Sequence, residues 1–390
     1  MSSEVAINAG KIVTPFYSRE KVSIKVRNGI IIDVSDGYVS SGNVLDYRDY
    51  IALPGLLDTH IHGIKGYDVN NGKIDDILGM SKTLVEYGVT GFLPSTVTAS
   101  HEELVNICRC IKEAYEEWNL NPTPIGARIL GLHLEGPYIN PEKRGAQNPK
   151  FIRKPNIKEI KEYYHASNGL LKMITLAPEI EGCLEIISEL TRLGITVSLG
   201  HSNASYDITV KAIVRGASRA THLFNAMRGI HHRDPGLIIA LLEHPNVYIE
   251  LIADLIHLHP SILRFVVRHV GSSRVILISD SISATGLSDG VYNLGGLEVH
   301  VKGGIARLSD GSLAGSTLTL NKALINMINL GFSLNDVVKM TSLNPARSLG
   351  IKGLGDIRPG FYGDFVIFDA EFKVKATVIN GVEVYSSRRG

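Results

Sequence analysis

The chain has 390 residues, of which 44% are hydrophobic and 20% are charged, as is typical of a globular protein with a sizeable core. Its 40 Lys and Arg residues balance 39 Asp and Glu residues, which argues against nucleic acid or an anionic membrane as the main partner. The apolar stretches are too short to span a bilayer, and we expect no secretory signal. Cys108, Cys110 and Cys183 lack C-x-x-C spacing, which excludes a disulfide framework and a thiolate zinc site. We therefore expect a cytoplasmic protein.

Both ends of the chain have the alternating pattern of β-strands. Asn28-Gly29 and Asn380-Gly381 each separate two such runs, which predicts a β-hairpin at either end. Neither end is long enough to form a stable sheet alone. We expect residues 1–53 and 351–390 to pair into one small β-sandwich domain, with residues 54–350 inserted between them.

The middle of the chain alternates strands with helices. Helices are predicted over residues 75–88, 100–118, 183–193, 206–215, 236–244, 261–270, 317–330 and 334–342, the second opening with a Ser100–Glu103 capping box. The short apolar runs are LLDTHIH, GFLPST, ILGLHLE, MITLAP, TVSLGH, RATHLFN, VYIELIAD and RVILISD. Eight such runs predict a closed (β/α)₈ TIM-like barrel. The glycine-rich segment 291–312 predicts a β-hairpin inserted after the last strand.

The ends of these strands carry residues that bind metals or transfer protons. In this fold the chemistry lies at the carboxyl ends of the strands. The residues there are His60, His62, Glu135, His201, His222, Asp254 and Asp280. One or two divalent ions held by imidazole and carboxylate would fit zinc, iron, manganese or cobalt.

Several of these residues have an ordinary alternative. His60 and His62 share one face of a strand and could chelate a metal, but an isolated H-x-H is also a common polar strand end. Asp58 lies on the same face and could orient a ligand. Asp280 could transfer protons beside a bound water or could be a further ligand. Asp254 could be a site residue or a helix N-cap.

The loops offer two weaker candidates. Arg233 lies in a polar loop after the sixth strand, where an arginine is usually solvated but could clamp an anionic substrate. The segment 313–319, LAGSTLT, could present backbone N–H groups to a polar ligand.

Together these motifs resemble the amidohydrolase superfamily and, within it, the N-acetylglucosamine-6-phosphate deacetylases. PGLLDTHIHG and the terminal β domain indicate the superfamily. The motifs of the narrower family are HLEGPY, SLGHSNAS, THLFNAM, IADLIHLHP, LISDSISATG and LAGSTLT. The resemblance covers nearly the whole chain and implies removal of acetate from a phosphorylated amino sugar.

The resemblance also implies roles for individual residues. Glu135, His201 and His222 would bind the main ion, zinc or iron, and His60 and His62 would help to hold a second. Asp280 would be the catalytic acid–base. The implied substrate contacts are Ala146, Gln147, Asn225, Ala226, Arg233, Asp254, His257, Leu313, Ala314 and Gly315. A phosphate site completed by a partner subunit implies a homodimer or a higher homo-oligomer.

This sequence departs from the family pattern at two positions. Some relatives have histidine where Gln147 stands, and glutamine donates a hydrogen bond without carrying a charge. Relatives usually have glycine where Leu255 follows Asp254, and leucine has fewer backbone conformations available. The alternative functions are an N-acetylgalactosamine-6-phosphate deacetylase, an aminopurine deaminase, which THLFNAM and the Arg233 loop disfavour, and a catalytically silent barrel that acts as a binding module.

Overall fold

The structure is a computed structural model that describes residues 4–387. Its strands in chain order are β1 (Glu4–Val13), β2 (Ser18–Arg27), β3 (Ile30–Asp36), β4 (Val44–Pro54), β5 (Leu56–Ile61), β6 (Gly63–Ile64), β7 (Tyr67–Asp68), β8 (Val89–Thr96), β9 (Arg128–Ile129), β10 (Leu132–Glu135), β11 (Leu171–Leu176), β12 (Thr196–Leu199), β13 (Arg219–Ala220), β14 (Tyr248–Ile252), β15 (Val275–Ile278), β16 (Gly290–Leu294), β17 (Leu297–Lys302), β18 (Ile305–Arg307), β19 (Phe365–Phe368), β20 (Val374–Ile379) and β21 (Val382–Ser386).

The helices alternate with the strands of the middle segment. They are α1 (Ile74–Leu84), α2 (His101–Leu120), α3 (Ile157–Ala166), α4 (Cys183–Arg192), α5 (Tyr206–Val214), α6 (Gly236–Glu243), α7 (Pro260–Val270), α8 (Leu320–Asn329), α9 (Leu334–Val338) and α10 (Asn344–Ser348). Short 3₁₀ turns cover Val69–Asn71, Val85–Tyr87, Pro141–Lys143 and Pro149–Phe151, and a π-helical turn covers Lys339–Leu343. No helix in residues 4–387 combines the length and hydrophobicity that crossing a membrane requires.

Eight parallel strands form the predicted barrel. Their order is β5-β8-β10-β11-β12-β13-β14-β15, and the short β9 also pairs with β8. The first and last strands meet at their carboxyl ends, where the Asp280 N–H donates to the His60 carbonyl over 2.9 Å and the His62 N–H donates to the Ser281 carbonyl over 2.9 Å. The predicted (β/α)₈ architecture is therefore confirmed.

The two chain ends form the second sheet, as expected. Its seven strands run in the order β3-β2-β1-β4-β19-β20-β21, and they are antiparallel except for the parallel pair β1 and β4. Both predicted hairpins occur. Asn28, Gly29, Asn380 and Gly381 all have the positive φ that such a tight turn requires.

This terminal sheet curls so that its two hairpins meet. The Gly363 N–H donates to the Gly29 carbonyl, and the Gly381 N–H donates to the Gly363 carbonyl, each over 2.8 Å. The sheet thereby encloses an apolar core of its own, which includes Ile7, Ile24 and Phe365. The sandwich is thus one continuous sheet folded over itself. The domain boundaries at 53/54 and 350/351 stay predictions.

The structure differs from the sequence-based expectation in four places, one of which is the short helix α10, where no helix was predicted. Helix α3 was not predicted, because only Ile160 and Tyr163 are fully buried on it and its helical apolar pattern is weak. Segment 291–312 is a three-stranded sheet, β16 to β18, rather than a hairpin. The helix expected over 334–342 is α9 followed by the π-helical turn. The Ser100–Glu103 capping box, in contrast, is formed at the start of α2.

Candidate active site

A cavity of about 310 Å³ lies at the carboxyl ends of the barrel strands. Its lining combines imidazole, carboxylate and amide groups with small residues, a mixture that suits a small polar ligand. The lining residues are His62, Val97, Glu135, Gly145, Ala146, Gln147, His201, His222, Asn225, Ala226, His257, Asp280, Leu294, Ser312, Leu313 and Gly315. Leu294 reaches the cavity from β16, and Ser312 reaches it from the segment that follows the three-stranded insertion.

One group of possible metal ligands joins the third, fifth and sixth barrel strands. Glu135 Oε1 lies 3.2 Å from His201 Nε2 and 3.0 Å from His222 Nε2. The two Nε2 atoms are 3.1 Å apart. The three side chains are buried, and their ligand atoms lie within 4.8 Å of one another. This is a compact set of one carboxylate and two imidazoles.

A second group joins the first and last strands. His62 Nε2 lies 3.0 Å from Asp280 Oδ1, and His60 Nε2 lies 3.4 Å from the same oxygen. His60 Nε2 also lies 3.3 Å from Glu135 Oε1, so the two groups adjoin. This nitrogen is buried and has no hydrogen-bond partner, which suits an atom that binds a cation.

Three of the four imidazoles are held through the nitrogen that faces away from the cluster, whereas His222 Nδ1 is buried without a hydrogen-bond partner. His62 Nδ1 lies 3.0 Å from the Ser95 carbonyl, and His201 Nδ1 lies 2.9 Å from the Lys143 carbonyl. His60 Nδ1 lies 3.0 Å from a carboxylate, Glu250 Oε2. An acceptor at Nδ1 places the proton there and leaves Nε2 as the ligand. Both groups therefore fit divalent ions.

The charges around the cluster favour an additional positive charge. Burial opposes protonation of His60, yet Glu135, Glu250 and Asp280 hold its pKa well above the ordinary value. Burial likewise opposes ionisation of Asp280, but His60 and His62 hold the pKa of its carboxyl below the ordinary value. A field that stabilises buried imidazolium also stabilises a bound cation.

Three of the strand-end residues have strained backbones. His201, His222 and Asp280 have φ angles of 47°, 28° and 51°, in the left-handed region that glycine favours. Each such residue costs on the order of 1–3 kcal/mol. Strain of this kind concentrates at functional sites, and here it turns three side chains toward one centre.

Two buried charges below the cluster were missed by the sequence analysis. Glu250 of β14 accepts from Arg219 Nε of β13 over 2.6 Å, and burial alone would raise the pKa of Glu250, whereas Arg219 and His60 lower it to about 2. The available signal was a carboxylate and a guanidinium inside short buried strands. Asp58, which could orient a ligand by its place on the strand, accepts from the backbone N–H groups of His60 and Ser279.

Gln147 is fixed at both ends of its amide. Its Oε1 accepts from the Thr98 N–H over 2.6 Å, and its Nε2 donates to Glu135 Oε2. An amide nitrogen has two hydrogens, so one N–H remains for a ligand in the cavity.

The structure brings most of the expected substrate contacts to the cavity. Ala146, Gln147, Asn225, Ala226, His257, Leu313 and Gly315 line it. Arg233 lies outside in an exposed loop, with its Nη1 2.7 Å from His232 Nε2. Ala314 is buried and donates its N–H to the Ala306 carbonyl.

Asp254 lies behind the cavity and supports His257. Its Oδ2 lies 2.7 Å from His257 Nδ1, and its Oδ1 accepts from the backbone N–H groups of Ile256 and His257. Leu255 has a φ of 68°, so leucine here adopts the conformation that glycine favours. His257 reaches the cavity despite the departure at Leu255.

Comparison with known proteins gives consistent results. A model of the amidohydrolase family matches residues 51–384. The chain is 38% identical to an N-acetylglucosamine-6-phosphate deacetylase of Bacillus subtilis, covering 93% of this chain and 94% of that relative. It is 36% identical to an N-acetylgalactosamine-6-phosphate deacetylase of Escherichia coli O157:H7, covering 96% and 98%.

A solved structure is also similar to this chain in both fold and sequence. It is a mutant N-acetyl-D-glucosamine-6-phosphate deacetylase from Mycobacterium smegmatis in complex with N-acetyl-D-glucosamine-6-phosphate. The TM-score is 0.92 at 32% identity, and the match covers 98% of this chain and 100% of that one.

Replacing His201 tests the first ligand group. His201→Ala should lower the metal content per subunit, because it removes one of three ligands that share a small buried volume. Elemental analysis of the purified protein measures this, with His269→Ala, at an exposed histidine of α7, as the matched control. An unchanged metal content in His201→Ala would refute ligation by this group.

Proposed function

The chain belongs to the amidohydrolase family, and we propose that it hydrolyses the N-acetyl group of N-acetylglucosamine 6-phosphate to give glucosamine 6-phosphate and acetate. The observation that carries this proposal is the convergence of two buried ligand groups on one cavity, which Asp280 also lines. The names of relatives above 30% identity support the choice of substrate.

The proposed cofactor is one or two divalent ions, zinc or iron. Glu135, His201 and His222 would hold the main ion, and His60, His62 and Asp280 the second. A divalent ion at this position supplies Lewis acidity, which lowers the pKa of water towards about 7 and polarises the amide carbonyl.

Asp280 is the proposed acid–base. Its lowered pKa keeps it a carboxylate at neutral pH, ready to accept a proton from the attacking water. The water oxygen bonds to the carbonyl carbon, the C–N bond then breaks, and Asp280 returns its proton to the departing nitrogen. That return is necessary because an amine is too basic to leave unprotonated.

The remaining groups position the substrate. The free N–H of Gln147 can donate to the oxyanion that develops on the carbonyl. Asn225, Ala226 and His257 line the cavity, and together with Arg233 they are the proposed contacts of the sugar phosphate. Binding energy from a remote phosphate can be used to orient the amide at the reacting centre.

The segment that bears Leu313, Ala314 and Gly315 is proposed to close over the sugar. It is fixed to the strand end that carries Asp280, since the Ser316 N–H donates to the Asp280 carbonyl over 2.7 Å. Asp254 acts in this scheme by holding His257. We further propose a cytoplasmic homodimer; Cys108, Cys110 and Cys183 are all free thiols.

The second candidate function is deacetylation of the galacto epimer. It is favoured by the 36% identity to the Escherichia coli O157:H7 N-acetylgalactosamine-6-phosphate deacetylase. The two substrates differ in one hydroxyl. A silent binding module is disfavoured because both ligand groups and Asp280 are intact.

An acetate-release assay tests the function directly. The purified protein should release acetate faster from N-acetylglucosamine 6-phosphate than from its galacto epimer, and a chelator should abolish the release. Preference for the galacto epimer would replace the first function by the second. No release from either substrate with metal present would contradict both.

Asp280→Asn should lower kcat by about 100-fold or more, because the amide neither accepts nor returns the proton. Steady-state kinetics measures kcat, and elemental analysis shows whether the Glu135 group still holds its ion. A near-normal kcat would remove Asp280 from the proposed role.

Arg233→Ala should raise KM about 10-fold or more for the phosphorylated sugar, because it removes a charged hydrogen-bond donor to the phosphate. KM for unphosphorylated N-acetylglucosamine should change little. Arg215→Ala, at the opposite end of the barrel after α5, is the control. Equal effects on both sugars would show that Arg233 does not bind phosphate.

A further inference from the structure

We infer that Glu250, anchored by Arg219, is a positioning residue that orients His60 and sets how tightly the group His60, His62 and Asp280 binds its ion. This role rests on the two-ion site of the proposed function. It adds to that site a buried charged pair that lies beneath the ligands and outside the cavity lining.

The carboxylate of Glu250 holds both metal groups at once. Its Oε2 accepts from His60 Nδ1 over 3.0 Å and from the backbone N–H of His222 over 3.0 Å. Its Oε1 accepts from Arg219 Nε over 2.6 Å. Each group thus has one ligand held by the same carboxylate.

Arg219 fixes this carboxylate in the barrel interior. Besides its bond to Glu250, its guanidinium donates to Ser348 Oγ over 2.7 Å and to Thr59 Oγ1. Both side chains of the pair are fully buried. A buried ion pair is weak evidence for stability, since apolar residues of similar volume often serve as well. A positioning role accounts for the charges better.

The effect should be largest at His60. His62 and His201 place Nδ1 against neutral backbone carbonyls, whereas His60 places Nδ1 against a carboxylate. A charged acceptor forms the stronger hydrogen bond and makes the opposite nitrogen a better donor to a metal. His60 Nε2, which lacks a hydrogen-bond partner, is that nitrogen.

The backbone at His222 has other support. The Thr221 N–H donates to the Leu199 carbonyl, and the Leu223 N–H donates to the backbone carbonyl of residue 250, each over 3.0 Å. Both bonds persist whatever side chain stands at position 250. Loss of the Glu250 carboxylate should therefore weaken the second ion more than the ion at Glu135, His201 and His222.

The test compares two double variants, because removing Glu250 alone would leave Arg219 buried and unpaired. Arg219→Met with Glu250→Leu removes both charges and the acceptor. Arg219→Met with Glu250→Gln removes both charges but keeps an acceptor oxygen. Thr175→Val is the control. It removes a buried hydroxyl that forms hydrogen bonds with His133 and Thr221 and with none of the proposed metal ligands. Each metal-free protein is titrated with Zn²⁺ alone, and its thermal unfolding is recorded.

The wild type should bind two Zn²⁺ per subunit, and His60→Ala should identify the weaker-binding phase that belongs to the second group. The leucine double variant should weaken that phase about 10- to 100-fold and leave the tighter phase nearly unchanged. The glutamine double variant should recover part of the loss, and Thr175→Val should match the wild type.

Two results in the variants would overturn the proposed role of Glu250 and leave the two-ion site standing. One is a leucine double variant that binds both ions with wild-type affinity. The other is equal weakening of both phases together with a lower melting temperature, which indicates a general structural defect. A wild type that binds a single ion would instead overturn the two-ion site and this role with it.

Discussion

The site depends on closure of the parallel sheet between its first and last strands. The residues that bind and react are separated by more than two hundred positions, from His60 to Asp280, and only a closed cylinder brings them together. The hydrogen bond from the Asp280 N–H to the His60 carbonyl lies at that closure. An open sheet would leave β5 and β15 at opposite edges, and the second ligand group would not exist.

Around this closure the structure collects charges that would be unfavourable one at a time. Glu135, Glu250 and Asp280 are buried carboxylates, and each is stabilised by imidazole or guanidinium neighbours. Burying an isolated charge costs several kcal/mol. Each of these carboxylates therefore needs an opposite charge beside it, from a neighbouring side chain or from a bound cation. The left-handed backbone at His201, His222 and Asp280 adds local strain that the surrounding barrel must maintain. The chemistry proposed for Asp280 uses the same arrangement, since its neighbours keep it ionised.

The loops and the three-stranded insertion line the cavity in front of this centre. The three-stranded insertion packs Leu294 beside the cavity, and the segment after it continues through Leu313 to Gly315. Gln147 spans from the Thr98 backbone to Glu135 and leaves one N–H for a ligand. Leu255 takes a glycine-like conformation and so keeps Asp254 bonded to His257. Gln147 and His257 both line the cavity, so neither expected departure from the family pattern removes these side chains from it.

Local periodicity and local turn chemistry were enough to predict the eight barrel strands, most of the helices, both Asn-Gly hairpins, the capping box of α2 and the strand-end positions of the candidate ligands. Glu250, Arg219 and the fixed amide of Gln147 emerged only from the tertiary structure. Their partners lie on other strands or loops, and no spacing along one strand reveals them. The strand pattern placed Asp58 on the same face as the histidines. It could not show that the Asp58 carboxylate accepts from backbone N–H groups, because one of these donors, Ser279, lies on a distant strand end. Which nitrogen of an imidazole is held, and by what charge, is decided by packing between elements distant in the chain.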